Sequence, residues 1–171
     1  MTTLRTVFLS LHVAGGVLGL LVGLFAFHPP ETPDFRLAIR RTYGAAIGVL
    51  AIFLVAIVAL DWSSLGATQR IIFSILIGLA AVIVTRLYLA FELVRRQPAG
   101  WQIPYINHIY FTYISLWEGF FIVSLIDLGA PGWLVGAVAV GVLVVGGLLV
   151  SRYKREKTSS LSSEPALRPS P

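Results

Sequence analysis

Four ionisable side chains, His12, Arg86, His108 and Glu118, lie within or at the mouth of long apolar stretches. Such a group at membrane depth is costly unless paired or wetted, so each needs a partner, a role or a way out to the interface. Glu118 is the deepest. Counted back from Leu128 it lies about 15 Å inside its stretch, which carries no lysine or arginine. His12 lies about 9 Å below the same boundary, so the two depths permit a direct or water-bridged contact if their helices are neighbours. Arg86 is about 22 Å from that boundary, where it either snorkels to headgroups or reaches toward Glu118. Thr112 and Ser115 add hydroxyls beside Glu118, and Asn107 and His108 stand at the opposite mouth. The chemistry such a set could perform is proton transfer linked to permeation.

Plain structural roles exist for three of the four. A lone intramembrane histidine commonly hydrogen-bonds a neighbouring helix, Arg86 can snorkel, and His108 suits an interface. Glu118 has no such inexpensive role. Two membrane histidines also invite haem ligation, but the first and fourth stretches run in opposite directions. His12 and His108 then fall in opposite leaflets, and one iron cannot take both. A haem or quinone redox role is therefore disfavoured, and neither a cofactor nor a metal site is expected. The chain contains no cysteine, which removes disulfides and thiolate ligands. H-E-x-x-H, G-x-S-x-G and Walker-type motifs are missing, and no loop is long enough for a soluble catalytic domain, so no catalytic residue is assigned.

The elements carrying these residues follow from length and composition. Of 171 residues, 57% are hydrophobic and 12% charged. A helix needs roughly 20 apolar residues to cross a hydrocarbon core. Five stretches qualify, at about 6–27, 44–61, 71–92, 104–128 and 133–150, predicting an all-α polytopic bundle over 1–157 and a disordered cytoplasmic tail over 158–171. The first stretch is expected to stay in the mature protein, because it is longer than a signal-peptide core and ends in Phe25-Ala26-Phe27-His28-Pro29-Pro30. Thr32-Pro33-Asp34 reads as a helix start, with Phe35 to Arg41 as a stub at the headgroups before the crossing at Gly44. The net charge of +5 comes from clusters at the stretch ends rather than from a basic face, so nucleic acid is not an expected partner. Ten of the thirteen Lys and Arg residues lie in the first–second joint, the third–fourth joint and the tail, which predicts the N-terminus outside and the C-terminus inside.

Small residues indicate how the helices meet. Gly15, Gly19 and Gly23 repeat every four positions on the face that also carries His12; Gly44 and Gly48 repeat that spacing in the second helix, and Gly132 and Gly136 in the fifth. Leu11-His12 before this glycine run, followed by a basic joint ending in Arg40-Arg41-Thr42-Tyr43-Gly44, resembles a group of uncharacterised bacterial integral membrane proteins over the first quarter of the chain. Members of that group often carry a histidine in the basic turn, where this chain has Ala38 and Ile39. The resemblance implies a bacterial inner membrane and no particular activity. Three classes fit the residues: a non-enzymatic bundle that is subunit or partner of another membrane protein or of its own copy, a small proton-coupled transporter using Glu118, and, least favoured, a redox protein. The lipid bilayer is a partner in all three.

Overall fold

The computed structural model describes residues 2–27 and 33–162. Five helices account for nearly all of them: α1 (Thr2–Phe27), α2 (Pro33–Asp61), α3 (Ala67–Arg96), α4 (Gln102–Asp127) and α5 (Gly132–Ser162). Each is long and apolar enough to cross a membrane, and the described residues contain no strand. The surface has the polarity expected of a lipid-facing bundle. Ile52, Ile71, Ile75 and Leu148 point outward, whereas Thr112 and Ser115 are buried. By composition and length this is a multi-pass membrane protein.

Turn chemistry sets the helix ends. The backbone N–H of Gly66 donates to Oε1 of Gln69 at 3.1 Å, which caps the start of α3. Gln97 adopts a left-handed conformation with φ 46°, and its N–H closes α3 on the Leu93 carbonyl. At the end of α4, Gly129 has φ 72° and the Ala130 N–H reaches back to the Leu125 carbonyl at 2.9 Å. That is a Schellman arrangement, for which glycine carries no Cβ penalty.

Helices α1 to α4 form a ring: α1 packs on α2 and α4, and α3 packs on the same two. Helix α5 lies outside the ring and touches α4 alone among the described helices. The tightest packing in the ring is between α1 and α2. A Cβ at Gly15 would come within 2.9 Å of both the Ala46 carbonyl oxygen and the Leu50 nitrogen, so two backbones meet there. Gly19 faces Leu116 and Ile47, Gly23 faces Tyr113 and Tyr43, and Gly44 faces Phe91 of α3. Tyr43, Ile47 and Ile109 are fully buried between these helices.

Several sequence expectations need correction. Gly48 meets no neighbour within 4 Å of a built Cβ, and neither do Gly132 and Gly136. The glycine of α5 that packs is Gly146, against Ile114. The stretch from Phe35 to Arg41 is the start of α2, which is continuous from Pro33; Phe35 and Leu37 are exposed there, while Ile39 and Tyr43 are buried in the core. Helix α5 continues through Arg152 and Arg155 to Ser162, so the boundary placed at 157 falls inside it. The expected Thr32 cap, the Pro29-Pro30 stop and positions 163–171 lie outside the described residues.

Candidate functional site

Helix α4 is the hub, because it touches α1, α3 and α5. Its central face presents Ile109, Thr112 and Leu116 to the ring. Ile114 lies under α5 and Phe111 faces Arg86 of α3. Glu118 follows Phe111 by seven residues, two turns along one stripe, and follows Ile114 by one turn. It therefore occupies the strip between the α3 and α5 contacts, and those two helices do not touch. Glu118 is part-buried and, among the described residues, makes no hydrogen bond or ion pair.

Arg86 does not reach it. The Arg86 guanidinium carbon stands 4.8 Å from the centroid of the Phe111 ring, a cation–π contact. The two turns separating Phe111 from Glu118 leave about 10 Å along the axis, too far for a pair.

His12 is engaged elsewhere. Its Nδ1 lies 2.8 Å from the Leu50 carbonyl oxygen, and a carbonyl can only accept, so Nδ1 carries the proton and donates. His12 and Ser115 both line a small cavity of about 80 Å³ at the centre of the ring, together with Gly119 and Leu116. Glu118 is not among its lining residues. His12 thus shares a cavity with the α4 neighbours of Glu118, but rotation about α4 turns Glu118 itself away from it.

His108 lines a cleft of about 470 Å³ where α3 ends and α4 begins, with Tyr88, Glu92 and Arg96. Its Nδ1 is buried and has no hydrogen-bond partner among the described residues. Its carbonyl accepts the Thr112 hydroxyl at 2.9 Å, so that hydroxyl is satisfied within its own helix. Glu92 accepts from Arg95 Nη2 and Arg96 Nε, each at 2.6 Å. Sequence reasoning passed over Glu92 as a site residue, although its i, i+3 and i, i+4 spacing to two arginines was a usable signal. The two histidines line separate cavities, and among the described residues no group of three His, Cys, Asp or Glu gathers as a metal-ligand set.

At the other end of the bundle, Arg5 Nε donates to Asp61 Oδ2 at 2.7 Å, joining the start of α1 to the end of α2. Arg70 lies over the Trp62 ring, its guanidinium carbon 5.5 Å from the centroid. Both cations assigned to the outer side thus have partners in the chain. Compared with known protein families, curated proteins and solved structures, the chain matches none.

Proposed function

We propose that the protein is a non-enzymatic intramembrane subunit that binds a second membrane protein, or another copy of itself, through the α4 seam bearing Glu118. One observation carries the reading: a mid-span carboxyl stands part-exposed on the outside of the bundle with no hydrogen bond or ion pair among the described residues. A polar group left unsatisfied in hydrocarbon costs several kcal/mol. A donor on a partner helix, docked in the gap between α3 and α5, removes that cost. The membrane is a bacterial-type inner membrane in this reading, with the N-terminus outside and the C-terminus inside, on the strength of the arginine and lysine clusters.

The test is purification of tagged parent and Glu118→Leu protein from native membranes after mild cross-linking. The expected result is a stoichiometric partner, or a dimer, with the parent and its loss with Glu118→Leu, while the variant alone is at least as heat-stable in detergent. A parent that purifies as an uncross-linked monomer overturns the proposal. A small proton-coupled transporter is the second reading, supported by the cavity that His12 and Ser115 line at the ring centre. It requires a polar path from that cavity to Glu118.

A further inference from the structure

Helices α4 and α5 meet closely where Gly146 lies against Ile114, yet they enclose a groove of about 770 Å³ beside that contact. Its walls are Tyr113, Trp117 and Phe121 of α4 against Val142, Val145 and Leu149 of α5, with Leu24 of α1 along one side. Volumes of roughly 300–1,000 Å³ with mostly apolar and aromatic walls are those of small-molecule sites. Water does not fill such walls, and leaving the space empty forfeits the dispersion contacts of every residue around it. Within a membrane-spanning segment the filler at hand is hydrocarbon. The groove reaches from Val138 to Tyr153, a rise of about 22 Å, which exceeds the ~15 Å of one leaflet's half of the hydrocarbon core.

Two details, width and polarity, bear on what fills the groove, and the second favours a lipid. The first is Gly141, which lines the groove although a Cβ there would meet nothing within 4 Å. This glycine serves no helix contact within the chain, and its effect is to keep the groove wide. The second is polarity: the hydroxyl-bearing residues Tyr110, Tyr113 and Tyr153 line the end where α4 begins, and Arg152 adjoins Tyr153. Arg152 is exposed and follows Val145 by seven residues, which places it on the same stripe of α5 as the groove wall. An apolar slot with hydroxyl-bearing residues at one end and an exposed arginine beyond it on the same stripe matches a glycerophospholipid, with a chain in the slot and its phosphate at the arginine.

We infer that the α4–α5 groove is a binding site for one bilayer phospholipid, its acyl chain between the aromatic wall of α4 and the valines of α5 and its phosphate at Arg152. The site is independent of the Glu118 seam, since Glu118 does not line it.

The test reconstitutes the full chain with phosphatidylglycerol, transfers it to detergent and counts retained lipid by native mass spectrometry. The parent is expected to keep one phospholipid. Gly141→Leu adds bulk to the groove from a position where a Cβ meets no atom within 4 Å, so it should retain the parent's thermal midpoint and lose bound lipid on the order of tenfold, about 1.4 kcal/mol of affinity. Arg152→Gln should lose several-fold. Equal lipid retention by Gly141→Leu and the parent overturns the inference, and so does a parent that keeps no lipid. A Gly141→Cys variant that cross-links to a second copy or another protein, rather than staying monomeric, also overturns it. Loss of the partner in Glu118→Leu with lipid still bound separates the two proposals.

Discussion

His12 donates Nδ1–H to the Leu50 carbonyl oxygen across the α1–α2 interface, one turn from the point where Gly15 brings the same two backbones together. The close approach at Gly15 brings the α2 main chain within reach of the imidazole on α1. Interhelical hydrogen bonds in membranes contribute about 0.6 kcal/mol on average and up to about 1.7. His12→Leu is accordingly expected to lower stability by about 1 kcal/mol in reversible detergent unfolding. Unchanged stability would show that the bond contributes nothing.

Gly15 and Gly48 provide a matched pair. A methyl group at Gly15 would press on main-chain atoms that cannot move aside without shifting a helix, whereas one at Gly48 meets open space. Overpacking of this kind costs about 1–3 kcal/mol. Replacing glycine by alanine in an unobstructed helix position gains about 0.5–1 kcal/mol. Gly15→Ala should therefore unfold at lower denaturant than the parent and Gly48→Ala at equal or higher denaturant. If the two variants shift together, the α1–α2 contact is not as close as described.

The five helices were legible because span length and end chemistry are one-dimensional properties. Pro33 marks the start of α2, and the Pro98-Ala99-Gly100 and Gly129-Ala130-Pro131-Gly132 joints separate α3 from α4 and α4 from α5. What the sequence could not show is rotation about each axis. Span counting puts Glu118 and His12 at depths that permit contact, yet α4 turns Ser115 and Gly119 toward the His12 cavity and leaves Glu118 on the outer seam. The same limit explains the glycines: a four-residue spacing identifies a stripe, and only the bundle decides whether another helix covers it, as at Gly15, or does not, as at Gly48 and Gly136. The stack of Arg86 on Phe111 joins different helices and left no local pattern.

Orientation is open to direct measurement. The native chain has no cysteine, and Ser64 and Ala99 are exposed in the joints at opposite ends of α3. A membrane-impermeant thiol reagent applied to intact cells should label Ser64→Cys and leave Ala99→Cys protected until the cells are opened. The reverse pattern would invert the bundle, and equal labelling of both sites would mean that α3 does not cross.

Helix α5 should be separable from the ring. Its backbone approaches α4 alone, and Gly146 is its one buried position among the described residues. A Cβ there would already lie 3.0 Å from Cγ1 and 3.2 Å from Cγ2 of Ile114, atoms near the branch point that cannot swing clear as a side-chain tip can. Leucine at this position must push α5 away, at a cost of about 1–3 kcal/mol, and no second helix retains it. The neighbouring Gly147 meets nothing within 4 Å and gives the control. Gly146→Leu is expected to expose the 128–132 turn to protease and to speed amide exchange along α5, with exchange in α1 to α4 unchanged. Gly147→Leu should match the parent in both measurements. If Gly146→Leu also loosens α1 to α4, the fifth helix is an integral part of the bundle core and not an element carried on α4.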